Sequence, residues 1–139
     1  MSILTTESSA PLKASNTKVL VADDAEAMRR LLKGILKKLG FEKISETKDG
    51  EATVKDLQVN QYDLIICDWE MPGATGDEIL KMVRESQNNR DSIFIMCTAN
   101  SSSDSVKGSI QAGVSNYIVK PLNPKTMSEK LSFYFELNC

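Results

Sequence analysis

The stretch that decides the fold is Leu64-Ile65-Ile66-Cys67-Asp68. Four apolar residues in a row, ended abruptly by an acid, are typical of a strand that is covered on both faces, as in parallel sheets. Two other stretches repeat the pattern: residues 19–22, followed by Asp23-Asp24, and residues 93–97, followed by Thr98. These runs predict buried strands whose carboxyl ends carry polar side chains.

Helical patterns lie between the predicted strands. From Met28 to Leu39 apolar side chains recur at helical spacing, basic side chains fill the opposite face, and Gly40 follows where such a helix ends. Strands that alternate with helices through short connections predict an α/β domain with a doubly wound, five-stranded parallel sheet. Two further strands are predicted, one around Ile44 and one at residues 117–119. Four further helices are predicted: at residues 51–58, from about Asp77, around Val106 and Ile110 as far as Gly113, and after Asn123-Pro124.

Length and composition limit the kind of protein. A chain of 139 residues has the size of one domain. Residues 1–16 are rich in Ser and Thr and are predicted to form a flexible N-terminal arm, which leaves residues 17–139 for the domain. A net charge of −2 does not predict nucleic-acid binding. No apolar run approaches the ~20 residues of a membrane span, and the N-terminus lacks a secretory pattern, so a cytoplasmic protein is expected.

The sequence contains no histidine and three cysteines. The first fact excludes Ser-His-Asp and Cys-His catalysis. The second does not predict a disulfide framework or a zinc ribbon, because the number is odd and the spacing is wide. Cys67 and Cys97 are expected to be core thiols, since strand alternation turns each of them away from the polar residue that follows.

Polar side chains end four of the five predicted strands: Asp23-Asp24, Asp68, Thr98 and Lys120. In open α/β sheets ligands bind beyond the carboxyl ends of the strands, so we expect these side chains to converge. Carboxylates in one pocket repel each other, and Mg²⁺ would relieve that repulsion. An aspartate beside Mg²⁺ can attack phosphorus, while a lysine and a hydroxyl meet the phosphoryl oxygens. The residue types therefore predict a Mg²⁺-dependent phosphoryl-transfer site.

The ordered set of motifs resembles the receiver domains of two-component signalling, and in particular the CheY-like single-domain response regulators. The resemblance covers the chain from about residue 17 onward and implies a flavodoxin-like (βα)5 fold with strand order 2-1-3-4-5. The matching motifs are Val-Ala-Asp-Asp at residues 21–24, Met-Arg-Arg at 28–30, Asp-Trp-Glu-Met-Pro at 68–72 with Gly76, Thr-Ala at 98–99, Gln-Ala-Gly at 111–113 and Tyr-Ile-Val-Lys-Pro at 117–121.

The resemblance assigns roles to the residues of the predicted site. Asp68 is the expected phosphoacceptor, and the donor is a phosphohistidine on a partner histidine kinase. Asp23, Asp24, Asp68 and the backbone carbonyl of Glu70 are expected to hold Mg²⁺, while Lys120 binds a phosphoryl oxygen. The Lys120-Pro121 peptide bond is expected to be cis.

A switching mechanism is also implied. The Thr98 hydroxyl is expected to swing toward the phosphoryl group, and Tyr117 to move into the vacated space. The output face would consist of the helix with Val106 and Ile110, the strand with Tyr117, and the last helix with Lys130. The protein is expected to be a monomer that binds an output protein and acts as a switch rather than as a turnover enzyme.

Some residues depart from the best-known chemotaxis member of the family. Glu70 and Asn100 replace Asn and Glu at positions that tune phosphate loss, so phosphate lifetime and recognition by a phosphatase stay open. The carboxylate of Glu70 is an alternative metal ligand. Ser102 and Ser103 replace lysines, which fits either an altered partner or neutral surface drift. Trp69 is either a ring near the metal or an ordinary loop aromatic.

Three functional hypotheses follow. The first is a switch that binds the flagellar motor in chemotaxis, and the second is a stand-alone receiver in a non-chemotactic phosphorelay. The third is a Mg²⁺-dependent phosphohydrolase that forms an aspartyl phosphate, which is disfavoured because the chain has no room for a cap over the substrate. A flavodoxin-like electron carrier is also disfavoured, because Asp23-Asp24 would repel the FMN phosphate.

Overall fold

The structure is a computed structural model that describes residues 12–99 and 110–137. The strands are β1 (Leu12–Lys13), β2 (Lys18–Ala22), β3 (Lys43–Thr47), β4 (Leu64–Asp68), β5 (Ile93–Thr98), β6 (Asn116–Val119) and β7 (Phe135–Glu136). The α-helices are α1 (Glu26–Lys38), α2 (Gly50–Val59), α3 (Gly76–Glu85) and α4 (Pro124–Ser132). Ile110 and Gln111 are also helical, whereas Val106 and the three departures at positions 100, 102 and 103 lie outside the described residues.

Five strands form one parallel sheet in the order β3-β2-β4-β5-β6. Numbered within this sheet alone, the order is 2-1-3-4-5, and the predicted fold class is confirmed. β4 lies at the centre, which is why every one of its residues is buried. The strand order reverses between β2 and β4, and ligands bind near such a reversal in open α/β sheets.

Two apolar cores cover the two faces of the sheet. Successive side chains of one strand enter opposite cores: on β4, Ile66 enters one core and Ile65 and Cys67 enter the other. Cys97, on β5, lies in the same core as Ile66. Each such side chain is fully buried, and burial of an Ile stabilises the fold by roughly 1.5–3 kcal/mol. The prediction of Cys67 and Cys97 as core thiols is confirmed.

The helix boundaries follow local signals. Gly40 has a φ of 103° just after α1, a backbone conformation that a glycine adopts without strain. The Asn123 side chain accepts the N–H groups of the first turn of α4, which begins with Pro124, as predicted. The helix predicted from about Asp77 begins at Gly76, because Thr75 and Glu78 form a reciprocal capping box.

Residues 12–16 belong to the folded domain, in contrast to the flexible arm predicted for this segment. Leu12 and Lys13 pair in parallel with Phe135 and Glu136, and Ala14 is 2% exposed and joins the core. Composition gives no sign of this, because backbone pairing and burial of one small side chain need no run of large apolar residues. Residues 1–11, the rest of the predicted arm, lie outside the described residues.

Helix length indicates whether a segment can cross a membrane. The longest described helix, α1, has 13 residues, fewer than the ~20 that cross a bilayer. In residues 12–99 and 110–137 no helix is both long and apolar enough to be a membrane span.

Backbone hydrogen bonds fix the loop between β4 and α3. The Trp69 N–H donates to the Cys97 carbonyl over 3.0 Å, and the Gly76 N–H donates to the Trp69 carbonyl over 2.8 Å. The Gly50 N–H of α2 reaches the Pro72 carbonyl of the same loop over 2.7 Å. The loop that follows the central strand is thus tied to β5, α2 and α3.

We predict that Gly76→Ala destabilises the protein and that Gly34→Ala stabilises it. A Cβ on Gly76 would lie 2.6 Å from the Met96 sulfur and 2.9 Å from the Asp68 carbonyl oxygen, and such overpacking costs about 1–3 kcal/mol. Gly34 is exposed within α1 and an added Cβ meets nothing within 4 Å, so Ala should gain about 1 kcal/mol of helix propensity. Urea denaturation measures both effects, and stabilisation by Gly76→Ala would contradict the close approach at Gly76.

Candidate functional site

The parallel sheet brings the predicted site residues to one edge. Asp68 and Thr98 are the last residues of β4 and β5, while Asp23 and Lys120 directly follow β2 and β6. Because these strands are neighbours and run in the same direction, their carboxyl ends meet. The Lys120-Pro121 peptide bond is cis, as the resemblance implied.

Three carboxylates form the acidic part of the site. Asp23, Asp24 and Asp68 each offer an oxygen, and these oxygens lie within 4.8 Å of one another. Asp23 is 1% exposed, and its Oδ1 accepts the Ala25 N–H over 2.9 Å. Asp24 is exposed, and the Asp68 side chain keeps 9% of its surface accessible. The cluster is thus buried at Asp23 and open to solvent at Asp24.

Lys120 bridges two of these carboxylates. Its Nζ lies 3.1 Å from Asp23 Oδ2 and 3.4 Å from Asp68 Oδ1. Burial lowers the pKa of the ammonium, but hydrogen bonding and charge from Asp23, and then charge from Asp68, outweigh burial and raise the pKa of Lys120. The lysine is therefore a permanent cation at the cluster.

The Asp68 carboxyl has a perturbed pKa. Burial raises it, Lys120 lowers it, and repulsion from Asp23 raises it again, with a net rise from 3.8 to about 6. The Glu70 N–H, 3.4 Å from Asp68 Oδ1, contributes a smaller lowering. One lysine therefore does not fully offset the cost of charging Asp68 beside a second buried acid.

Thr98 and Tyr117 form the polar pair beside the acids. Thr98 is fully buried at the end of β5, and Tyr117, on β6, is half-buried. Burial raises the pKa of Tyr117, Asp77 raises it further, and a hydrogen bond with the Thr98 side chain lowers it in part. The two side chains are thus hydrogen-bonded to each other in this structure.

Asp77 is a residue of this region that sequence reasoning missed. Its Oδ2 accepts the indole N–H of Trp69 over 2.8 Å in a partly buried position. The Trp69 ring is therefore held by a carboxylate, and both interpretations of Trp69 stay predictions. No pattern in the sequence pairs residues 69 and 77, since one lies in a loop and the other in the next helix.

The other predicted residues lie around this centre. Glu70 is exposed and follows the acids in the loop after β4. Ile110 is 63% exposed, and Lys130 on α4 donates to Asn116 Oδ1 over 3.1 Å. The roles assigned to Glu70, Ile110 and Lys130 stay predictions.

The fold and this set of three acids, a lysine and a hydroxyl define a receiver domain. The chain belongs to the family described as response regulator receiver domain, which it matches over residues 19–132. It is 37% identical over 121 residues to chemotaxis protein CheY-3 of Vibrio cholerae, covering 87% of this chain and 93% of that protein. It is 36% identical to chemotaxis protein CheY of Pseudomonas aeruginosa over 119 residues, covering 86% and 96%.

Solved structures show the same relationship. The response regulator CheY4 of Vibrio cholerae superposes with a TM-score of 0.78 at 28% identity, covering 86% of this chain and 98% of that one. TrrA of Thermotoga maritima, solved in complex with Mg²⁺-BeF, gives a TM-score of 0.75 at 34% identity, covering 86% and 99%. CheY-type receivers are regulatory switches rather than turnover enzymes, and the chain is a phosphorylation-activated response regulator of this kind.

We predict that Asp68→Asn raises the free energy of unfolding near pH 7 and has little effect near pH 4. The pKa of Asp68 is raised on folding, so the stability contributed by its bound proton is full below the ordinary value of 3.8 and is lost as the pH rises through about 6. Asn imitates the protonated form at every pH, so its advantage should grow to on the order of 1 kcal/mol, allowing for solvent screening. Urea denaturation in EDTA checks this, and an advantage independent of pH would contradict the raised pKa.

Proposed function

We propose that this protein accepts a phosphoryl group on Asp68 from a histidine kinase with the help of Mg²⁺, and then binds the flagellar motor switch. The observation that carries the proposal is the Asp68 carboxylate, which lies 3.4 Å from Lys120 Nζ and within 4.8 Å of the oxygens of two further acids. A partly accessible carboxylate with a cation on one side suits attack on phosphorus better than a purely structural role.

The donor set fits Mg²⁺. The residues offer carboxylate oxygens within 4.8 Å of one another and no sulfur or nitrogen ligand at that point, and Mg²⁺ prefers oxygen ligands. Asp23, Asp24 and Asp68 would hold the ion, with the backbone carbonyl of Glu70 as a further ligand. When bound, it supplies charge neutralisation for the acids and for the incoming phosphoryl oxygens.

The protein's own groups would do the rest. The Asp68 oxygen attacks phosphorus, the P–N bond of the donor phosphohistidine breaks, and the imidazole leaves with the bonding electron pair. Lys120, already 3.4 Å from Asp68, would bind one phosphoryl oxygen, and Thr98 would donate its hydroxyl proton to another. Phosphoryl transfer of this type needs positioning and charge stabilisation rather than a general base, so a chain without histidine can perform it.

Activation is then a shift between two populations. A change from 1:99 to 99:1 requires about 5.5 kcal/mol of differential binding. Two charge-assisted hydrogen bonds, from Thr98 and Lys120, would supply roughly 1.5–3 kcal/mol each. These contacts would therefore supply much of the free energy needed to move Thr98 and, through their hydrogen bond, Tyr117.

The output face would include Ile110, Tyr117 and Lys130. Ile110 and Val119 are exposed apolar side chains at 63% and 44%. The curated relatives described above are chemotaxis proteins, which supports the flagellar motor switch as the partner. We propose that the protein acts there as a cytoplasmic monomer.

Incubation with acetyl phosphate and Mg²⁺ should place one acyl phosphate on each chain. Asp68→Asn should abolish it and Asp24→Asn should slow it at least tenfold, because the metal loses a ligand. Glu26→Gln, which removes an exposed acid two residues beyond Asp24, is the matched control and should label normally. Intact-protein mass spectrometry measures the label, and labelling that survives Asp68→Asn would defeat the acceptor assignment.

Beryllofluoride-loaded protein should bind the purified motor switch protein at least tenfold more tightly than the unloaded protein. Thr98→Ala should still accept beryllofluoride but lose most of this gain, because the hydroxyl that couples Asp68 to Tyr117 is missing. Isothermal titration calorimetry gives both affinities. Loading without any gain in motor affinity would favour the phosphorelay receiver over the motor ligand.

A further inference from the structure

The two arginines of the Met-Arg-Arg motif are neighbours in α1 but have different surroundings. The Arg29 side chain is 14% exposed, and its Nη1 donates to the backbone carbonyl oxygen of Asp23 over 2.8 Å. The Arg30 side chain is 79% exposed, and its Nη2 lies 3.8 Å from a carboxylate oxygen of Glu26. Arg29 thus contacts a residue of the acidic cluster, whereas Arg30 is open to solvent.

Glu46 holds the Arg29 guanidinium from the other side. The Arg29 Nε donates to Glu46 Oε1 over 2.8 Å, and Lys33 Nζ donates to Glu46 Oε2 over 2.7 Å. Glu46 lies on β3, where it pairs with Val21 of β2, two residues before Asp23. A guanidinium is planar and directs its N–H groups in fixed directions, so a contact at Nε also orients Nη1. The strand next to β2 therefore sets the direction of the bond to Asp23.

The loop between β2 and α1 is closed by four hydrogen bonds. The Asp23 N–H donates to the Thr47 carbonyl over 3.2 Å, and the Ala25 N–H donates to Asp23 Oδ1 over 2.9 Å. The backbone N–H of Arg29 donates to the Ala25 carbonyl over 3.0 Å, while its side chain holds the Asp23 carbonyl. Asp24 lies between these two residues with an exposed carboxylate, so its position depends on theirs.

We propose that Arg29 is a positioning residue of the metal site, which fixes the backbone at Asp23 and Asp24 so that both carboxylates are in place before Mg²⁺ binds. Glu46 contributes by orienting the guanidinium. The inference rests on the proposed function, because it needs Mg²⁺ to bind at these acids. Arg29 would act through Asp23, without itself being a ligand of the ion.

Charge and position predict opposite effects for this arginine. Removal of a cation beside three carboxylates strengthens their attraction for Mg²⁺, so an effect of charge alone would raise the affinity. Removal of a group that fixes a ligand lowers the affinity, because the loop must then be ordered when the ion binds. Contacts that hold metal ligands in place are worth about 10–100-fold in metal affinity. The sign of the change in Mg²⁺ affinity therefore separates the two roles.

The test is a titration of the ¹⁵N-labelled full chain with MgCl₂, followed through the backbone amide signals of residues 23–25. Arg29→Ala removes the contacts of the guanidinium, and Arg29→Lys keeps the charge but loses the two-directional fork. Arg30→Ala is the matched control, since it removes the exposed arginine of the same motif. Glu46→Gln removes the carboxylate that orients Arg29, and it is made both alone and together with Arg29→Ala.

Arg29→Ala should weaken Mg²⁺ binding about fivefold or more, although it removes a positive charge. Arg29→Lys should lie between this variant and the wild type, and Arg30→Ala should bind as the wild type does or slightly more tightly. Glu46→Gln should weaken binding less than Arg29→Ala. In the double variant Glu46→Gln should add no further loss, because it acts through Arg29.

Hydrogen exchange in EDTA gives a readout that needs no metal. The Ala25 amide should exchange faster in Arg29→Ala than in Arg30→Ala, while the amide of Ile66 in the central strand should keep the same rate in both. This pattern is expected if the loop between β2 and α1 alone is loosened. Equal acceleration at Ala25 and Ile66 would show a general loss of stability and would overturn the inference.

The two ways of failing are distinguishable. If Arg29→Ala binds Mg²⁺ as tightly as the wild type or more tightly, the inference about Arg29 is overturned and the proposed function stands. If the wild-type protein shows no response to MgCl₂ at residues 23–25, the metal site of the proposed function fails and the inference fails with it.

Discussion

Negative charge concentrated at the carboxyl end of the central strand is the constraint on which the site depends. Asp23 and Asp68 are nearly buried, their oxygens are close together, and Lys120 is a shared cation. The raised pKa of Asp68, about 6, shows that this compensation is incomplete. A bound divalent cation or a repositioned lysine would therefore change the electrostatic free energy of all three carboxylates.

The sequence predicts the fold and the centre of the site because both depend on strand ends. Continuous apolar runs locate the strands, a parallel sheet sends their carboxyl ends to one edge, and the residue after each run, such as Asp23 or Lys120, then lies at that edge. Asp77 was missed because its contact with Trp69 depends on how α3 packs after the loop, which no local pattern encodes. Residues 12–16 were misjudged because their partner, β7, lies at the other end of the chain.

The structure combines a loop fixed by backbone hydrogen bonds with a pair of hydrogen-bonded hydroxyl groups. Three backbone hydrogen bonds hold the loop after β4, and Gly76 allows its close approach to Asp68. The Thr98 and Tyr117 side chains, in contrast, are joined by a hydrogen bond between their hydroxyl groups. In the proposed function, the loop would position the reacting carboxylate and the hydroxyl pair would transmit the signal.

The two core thiols offer a way to follow the opening of each face of the sheet. Cys67 and Cys97 are both completely covered, yet they lie in different cores, and burial raises the pKa of each, so each is protected from alkylation both by coverage and by protonation. A reagent such as iodoacetamide can reach either sulfur only during a transient exposure of the layer that covers it. Comparison of the two alkylation rates would therefore separate loosening of one helical layer from loosening of the other and from complete unfolding.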